Sequence, residues 1–222
     1  MYLSRLILNP RNRRVQREIA DPYQMHRSLM NAFPDDLDQG AERVLFRLER
    51  PSRTGARHGG LALLVQSLNL PDWSWLAEPG AQGYLLPLGE PNPAIKSFDV
   101  ALVPGQMLAF RLRANPTVKR TVAGRKKRLG LYREGEQIKW LERKAESGGF
   151  RLISVRTSHH ENVGGRIHRE GITHNLRLLS VQFDGLLQAT DPDRLWEAVR
   201  QGIGSGKGLG FGLLSLAPPP AS

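Results

Sequence analysis

A tyrosine, a histidine and an arginine lie close together on one predicted helix. The helix is predicted over residues 21–33, because Asp21 is a favourable N-cap and a proline follows it. At 100° per residue, Tyr23, His26 and Arg27 fall within an arc of about 100° beside the apolar face. Imidazole moves protons readily near neutral pH, and a helix N-terminus attracts phosphate. The spacing indicates a candidate site for proton transfer at a phosphate, with a surface histidine of no catalytic role as the alternative.

Glycine occupies every second position from Gly202 to Gly212. If this segment is extended, one of its sides carries no side chains, so a polyanion or another backbone can approach closely. The segment departs from the Walker pattern, and it follows a predicted helix, whereas the dinucleotide fingerprint follows a strand. A flexible tail is the alternative to an ordered loop. The expected polyanion contacts are Gly204, Gly206, Lys207, Gly208 and Gly210.

The charge of the chain indicates a polyanionic partner, most simply nucleic acid. Its 222 residues include 32 Lys and Arg against 21 Asp and Glu, a formal charge of +11. Two predicted loops, 117–133 and 156–175, concentrate the basic residues, and a solvated surface is the alternative explanation for them. The candidate RNA contacts in these loops are Lys119, Arg120, Arg125, Lys126, Lys127, Arg128, Arg156, Arg166 and Arg169.

Several classes of protein and site are disfavoured by the composition. No run approaches the roughly 18 apolar residues of a membrane span, and the N-terminus lacks the pattern of a secretory signal. There are no cysteines, which excludes disulfides and thiolate ligands and favours a cytoplasmic location. The histidines of the 156–175 loop have spacings that suit a metal poorly, so we expect no metal site. These histidines are His159, His160, His168 and His174.

The predicted elements follow the same order twice. Strands over 2–9, 44–48, 61–68 and 83–87, with helices over 21–33 and 72–76, give β-α-β-β-α-β in the first half. The second half repeats this order, with strands near 107–113, 150–155 and 176–183, helices over 136–146 and 193–200, and a strand after the glycines. We therefore predict an α+β fold of two tandem ferredoxin-like (RRM-like, βαββαβ) domains. The predicted boundaries are 1–90 for the first domain, 91–104 for a Pro-rich linker, 105–218 for the second domain and 219–222 for a tail.

Several motifs together resemble a known family. The segment GIGSGKGLGFG at 202–212 resembles the G-h-G-x5-G-h-G loop (h, hydrophobic) of the RAMP superfamily. Four further stretches are similar to the CasE-type endoribonucleases of type I-E Cascade complexes, which belong to that superfamily. They are MYLS at 1–4, DPYQMH at 21–26, FRLRANP at 110–116 and GLLSLAP at 212–218. The resemblance extends from one end of the chain to the other.

The resemblance implies a reaction and assigns residues to it. It implies two ferredoxin-like domains and metal-independent cleavage of a CRISPR repeat hairpin at the 3′ base of its stem. The products are a 2′,3′-cyclic phosphate and a free 5′-hydroxyl. His26 is implied as the residue that moves the proton, as acid or as base, and Tyr23 as its partner at the phosphate. Arg27 and Lys207 receive supporting electrostatic roles from their placement.

The implied partners are RNA and protein. They are the CRISPR repeat hairpin, the CRISPR RNA made from it and other Cascade subunits, with no cofactor and no membrane. A non-catalytic RNA-binding subunit of a ribonucleoprotein complex is the alternative function. A DNA-binding or ribosomal protein is a third possibility from charge alone.

Overall fold

The computed structural model describes the chain except residues 35–41, 50–58, 123, 170–171 and 221–222. The structure describes only the backbone at residues 122, 125, 159–160, 165–169 and 172–177. The chain forms two compact units. The first unit consists of Met1–Asp99 with Gly164–Asn175 and Gly208–Gly210, and the second consists of Val100–Val163, Leu176–Lys207 and Phe211–Ser222.

The first unit is an antiparallel four-stranded sheet with helices. Its elements are β1 (Tyr2–Leu8), α1 (Arg13–Ala20), α2 (Pro22–Met30), β2 (Leu45–Leu48), β3 (Leu61–Ser67) and β4 (Ala94–Ser97). The sheet order is β2-β3-β1-β4. Two short 3-10 turns, Ser74–Ala77 and Pro79–Ala81, stand between β3 and β4.

Alternating side chains build the core of the first unit. Leu6 and Leu8 of β1 are fully buried, and Leu6 is paired with Leu63 of β3. Met25 and Leu29, one helical turn apart on α2, belong to the same buried cluster. The sheet and the apolar side of α2 therefore share one core.

The second unit has the same kind of sheet with longer strands. Its elements are β5 (Met107–Ala114), β6 (Thr117–Val122), β7 (Arg125–Gly130), α3 (Glu134–Ser147), β8 (Phe150–Arg169), β9 (Ile172–Ala189), α4 (Pro192–Gln201) and β10 (Leu214–Ala217). The main sheet has the order β10-β5-β9-β8, and β6 and β7 form a separate hairpin. Trp140 of α3 stacks on Phe183 of β9 in the core.

The region predicted as a linker contains a strand. Ala94–Ser97 of the predicted 91–104 linker form β4 and pair with β1. The predicted strand at 83–87 is instead a single bridge between Leu8 and Leu85. The side chain of Asn92 explains why the proline-rich chain is held here: it accepts from the Ile7 amide at 2.9 Å and donates to the Ile7 carbonyl at 3.0 Å.

Four other regions differ from the sequence expectation. The predicted basic loop 117–133 contains the β6–β7 hairpin, and the predicted loop 156–175 continues β8 and β9. The helix expected at 72–76 is the 3-10 turn Ser74–Ala77. Helix α1 was not predicted, although the Asn12 side chain caps it by accepting from the amides of Arg14 and Val15. In the part of the chain that the structure describes, no helix has the length and apolar character to span a membrane.

Candidate active site

Helix α2 positions the tyrosine and histidine found in the sequence. The side chain of Asp21 caps the helix, as predicted, by accepting from the Tyr23 amide at 3.2 Å. Met25 is buried on the core side of the helix, so the neighbouring His26 lies at the edge of the core and is half-buried. Tyr23 is also half-buried, one turn before His26, whereas Arg27 is exposed. The helix thus places a phenol and an imidazole on one flank.

The imidazole of His26 lies in an apolar setting that favours its neutral form. Its ring stacks on Phe46 of β2, with the ring centroids 6.3 Å apart and the planes 13° from parallel. Burial lowers the pKa of His26 below its ordinary value of 6.5, because the imidazolium loses contact with water. Nδ1 is buried and has no hydrogen-bond partner among the described residues. The setting therefore favours a neutral ring near pH 7 and leaves Nδ1 without a partner among the described residues.

A glycine stands beside the other ring nitrogen. A Cβ added to Gly208 would lie 3.4 Å from Cδ2 and 3.6 Å from Nε2 of His26. The φ angle of Gly208 lies outside the left-handed region, so its backbone does not itself require glycine. The absence of a side chain at this position leaves space next to Nε2. This space is where a reacting group can approach the histidine.

The other glycines of this segment serve a different purpose. Gly204, Gly206 and Gly210 have φ of +87°, +81° and +79°, and Lys207–Leu209 forms a 3-10 turn. The segment is an ordered loop that leads into β10, as predicted, but it is not extended with one bare side. A Cβ on Gly204 would lie 3.1 Å from the Trp140 ring, so that glycine is required by both backbone conformation and packing. Contact of these glycines with RNA stays a prediction.

A buried carboxylate fixes α2 against α1. Glu18 of α1 is only 4% exposed and accepts hydrogen bonds from Arg14, Ser28 and Tyr84. Ser28 is on α2, two residues after His26, and Tyr84 is part of the core. The Arg14 guanidinium also lies over the Trp75 ring, 4.9 Å from its centroid. This network ties the helix that carries His26 to the rest of its unit.

The surroundings of Arg27 differ from those of Tyr23 and His26. It lines a cleft of about 530 Å³ between α1 and α2, and neither Tyr23 nor His26 lines this cleft. The sequence grouped the three side chains on one arc, but only Tyr23 and His26 share a half-buried flank. The cleft is lined by Arg14, Arg17, Glu18, Gln24, Arg27, Ser28 and Asn31.

Two functional neighbours were not found from the sequence. Phe46 was read only as part of a strand, and no sequence signal links it to His26 across 20 residues. The position of Glu18 depends on α1, and the sequence signal for that helix was Asn12, a favourable N-cap, with Val15 three residues later. The sequence signal for Glu18 itself was a single acid among several arginines.

The basic candidates from the two predicted loops lie mainly on the β6–β7 hairpin. Lys119 pairs with Arg128 and Arg120 with Lys127, so like charges stand directly opposite each other. Such pairs are unfavourable unless an anion neutralises them. Lys126 and Arg156 are exposed as well, and Lys207 is half-buried. The side chains of the remaining three candidates, Arg125, Arg166 and Arg169, lie outside the described residues.

Among the described residues, no group of three or more His, Asp or Glu side chains is arranged to hold a metal ion. The side chains of His159, His160, His168 and His174 are not among those described. Metal independence therefore stays a prediction.

Comparison with known proteins gives the chain its family. Residues 1–218 match the family described as CRISPR associated protein. The chain is 42% identical to the CRISPR-associated endoribonuclease Cse3 of Thermus thermophilus, over 98% of this chain and 100% of that protein. It is 32% identical to the CRISPR system Cascade subunit CasE of Escherichia coli, with the same coverage of 98% and 100%.

A solved structure agrees with the sequence relatives. Thermus thermophilus Cse3 bound to an RNA that represents a pre-cleavage complex superimposes with a TM-score of 0.81 and 40% identity, covering 98% of each chain. The mixed α and β fold with antiparallel sheets is therefore shared with that protein. The chain belongs to the CRISPR-associated family that includes the endoribonuclease Cse3 and the Cascade subunit CasE.

Proposed function

We propose that this chain is a cytoplasmic, metal-independent endoribonuclease that cleaves CRISPR repeat RNA at the 3′ base of the hairpin stem. Its family relatives include a protein named as an endoribonuclease at 42% identity over the full length. The observation that supports the chemistry best is the state of His26. The setting of the imidazole favours its neutral form, and its Nε2 lies beside a glycine that leaves room for a substrate.

His26 acts as the general base in this proposal. The lowered pKa keeps the imidazole neutral at pH 7, which suits removal of a proton better than its donation. His26 takes the proton of a ribose 2′-hydroxyl, whose oxygen attacks the adjacent phosphorus. The bond from phosphorus to the 5′-oxygen breaks, and the leaving oxygen takes a proton from solvent. A 2′,3′-cyclic phosphate and a 5′-hydroxyl result.

Tyr23 and the cations stabilise the reacting phosphate. The Tyr23 phenol, one turn from His26, donates a hydrogen bond to a phosphate oxygen as negative charge develops there. Arg27 and Lys207 contribute supporting positive charge in this proposal. Gly208 leaves room for the RNA backbone directly at His26. A Cβ on Gly204, Gly206 or Gly210 would instead meet an aromatic ring of the protein, so contact of these three with RNA rests on the resemblance of the segment alone.

The hairpin stem is bound chiefly by the basic β6–β7 hairpin. A-form RNA has a deep, narrow major groove, so shape and phosphates dominate its recognition. Contacts to the stem are the same before and after cleavage at its base, so they hold substrate and product equally. The protein then retains the CRISPR RNA and joins other Cascade subunits, as the name of its Escherichia coli relative indicates for that protein.

We also propose that the two units are tandem ferredoxin-like domains. In each, the four strands numbered in order of sequence have the spatial order 4-1-3-2 within the sheet. The second unit has a helix in each of the two crossovers, α3 and α4. The first has α1 and α2 in one crossover and two 3-10 turns in the other. Residues 1–99 and 100–218 are the proposed domain limits, with the β6–β7 hairpin as an insertion in the second.

The proposal is tested with labelled repeat hairpin RNA in the presence of EDTA. We expect cleavage at the 3′ base of the stem, a 5′-hydroxyl on the downstream fragment, and no cleavage when the attacking 2′-hydroxyl is replaced by hydrogen. With hairpin in excess, we expect about one product per protein and then a very slow phase, because product is retained. Inhibition by EDTA, or normal cleavage of the deoxy substrate, would overturn the mechanism.

A further inference from the structure

A second cleft lies entirely within the second unit, and of the residues given a role toward RNA in the reaction only Gly204 and Lys207 line it. Its volume is about 570 Å³, and α3, α4, the β6–β7 hairpin and the start of the glycine segment form its walls. Five basic residues line it against one acid, Glu197. They are Lys119, Arg128, Lys144, Arg194 and Lys207.

Lys144 and Arg194 are basic residues of this cleft that no sequence motif indicated as RNA contacts. Both are exposed, and they come from different helices. Arg194 pairs with Asp191 at 3.2 Å, but its side chain remains 67% exposed, so water screens that pair and leaves the guanidinium available to another anion. Lys119 and Arg128 bring further positive charge from directly opposite positions on the hairpin. The cations therefore converge from three elements on one concave surface.

A polar group without a partner points to a ligand in the same place. The Oγ of Ser205, a lining residue, is buried and makes no hydrogen bond within the described part of the chain. A buried hydroxyl left unpaired is costly, and a bound oxygen acceptor would remove that cost. Gly204 beside it is held in the left-handed conformation against Trp140.

The shape and lining of the cleft select among anions. A volume near 570 Å³ is in the range that holds a small molecule, so it accommodates about one or two nucleotides and no duplex. Trp140, the aromatic residue in the lining, is only 5% exposed, so the cleft offers cations and a hydroxyl but no open ring for base stacking. These features fit the phosphodiester backbone of a single strand.

We propose that this cleft binds the unpaired RNA strand that flanks the hairpin, with Lys144, Arg194 and the Ser205 hydroxyl as phosphate contacts. The inference rests on the proposed function for the identity of the RNA, and it adds a site separate from the one that cleaves. The hairpin cations Lys119 and Arg128 border both the cleft and the surface assigned to the stem. A strand leaving the stem therefore enters the cleft without losing contact with positive charge.

The test compares binding of three uncleavable hairpins: a bare hairpin, one with about eight unpaired nucleotides on its 5′ side, and one with the same flank on its 3′ side. We expect one flank to tighten binding by the wild-type protein roughly tenfold at moderate salt. In the K144A/R194A double variant this gain disappears, and the salt slope for the flanked RNA falls by about 1.4, the value for two lost contacts to a single strand. Ser205→Ala reduces the gain by a smaller factor.

Matched variants distinguish the loss of this binding site from a general loss of positive charge. Lys139→Ala with Arg143→Ala removes the same charge from exposed positions of α3 that do not line the cleft, and it should keep the gain. Lys144→Arg with Arg194→Lys should restore it. If neither flank tightens wild-type binding, or if the K144A/R194A variant keeps the gain, the inference is wrong and the cleft serves an acidic protein partner or no ligand. Failure of the proposed function would appear separately, as uncut hairpin in the cleavage assay.

Discussion

The first unit buries charged side chains, whereas the second keeps its charge at the surface. Among the described residues, the buried charged side chains are Glu18 and Arg47, and both belong to the first unit. The buried polar side chains of the second unit are uncharged: Asn115, Gln137 and Ser180. Two sheets with the same strand order thus use charge in opposite ways.

This difference matches the tasks proposed for the two units. A reaction needs groups held in one geometry, and a buried, fully hydrogen-bonded carboxylate such as Glu18 fixes a helix more firmly than apolar contact alone. Binding of a polyanion needs cations that are accessible to phosphate, as on the β6–β7 hairpin. The two sheets share a strand order, and the location of the charge matches the proposed division between catalysis and binding.

The largest effect is expected from removing the imidazole. His26→Ala should lower the single-turnover cleavage rate by at least about 100-fold, the usual scale for a lost general base. Affinity for the hairpin should hardly change, because the binding cations are elsewhere. The control is Arg27→Ala on the same helix, which should weaken binding modestly and keep most of the rate. Equal losses of rate in both variants would remove the distinction between chemistry and binding.

Breaking the buried network should affect folding of the first unit. Glu18→Gln removes the charge that Arg14, Ser28 and Tyr84 share, and it should reduce the free energy of unfolding by about 3 kcal/mol. The exposed pair Arg5–Glu90, 3.2 Å apart, provides the control, since Glu90→Gln should cost less than about 1 kcal/mol. Denaturant unfolding measures both. If the two variants were equally stable, the buried network would have no special role.

Two glycine variants separate folding from catalysis within one segment. Gly204→Ala places a Cβ on a left-handed backbone against Trp140 and should reduce stability by about 1–3 kcal/mol. Gly208→Ala meets His26 only at ordinary contact distance, so the fold should be kept while cleavage slows roughly tenfold through crowding at Nε2. Thermal unfolding and single-turnover rates distinguish the two effects. A stable Gly204 variant, or a fully active Gly208 variant, would contradict this reading.

The smallest effect is expected from the acid in the second cleft. Glu197 lies 3.6 Å from Arg200, and both side chains are about half-exposed, so Glu197→Gln should change stability by less than about 1 kcal/mol. Affinity for flanked RNA should rise slightly, because one negative charge leaves a cleft that binds phosphate. Titration at low and high salt checks this, and the gain should vanish at high salt. A loss of affinity would argue against phosphate at this position.

Much of the fold could be predicted from local patterns. Apolar alternation located β1, β3 and β5, and Asp21 marked the start of α2 because capping is a local interaction. Strand β4 was missed because four residues in a proline-rich stretch carry no pattern, and the side chain of Asn92 that holds them beside β1 is 85 residues from its partner Ile7. Long-range hydrogen bonds of this kind leave no local signal.

The candidate site was predicted only in part for the same reason. Tyr23 and His26 are one turn apart, so helical geometry alone brings them together. The stacking of His26 on Phe46 and its approach to Gly208 depend on how strands and turns fold back, and neither follows from spacing. The glycine segment was predicted correctly as an ordered loop, but its conformation was not, because alternate glycines can indicate an extended strip or repeated left-handed turns and the sequence is the same in both cases.

In the proposed reaction, neutral His26 accepts the proton and no metal is needed. The most direct measurement is kcat/KM for cleavage of the repeat hairpin as a function of pH, in EDTA, for wild type and His26→Ala. Because burial lowers the pKa of His26, the wild-type profile should rise with pH through a midpoint below about 6.5 and then level off, and the variant should lack this midpoint. Activity that increases as the pH falls through this range, or that disappears in EDTA, would contradict the account.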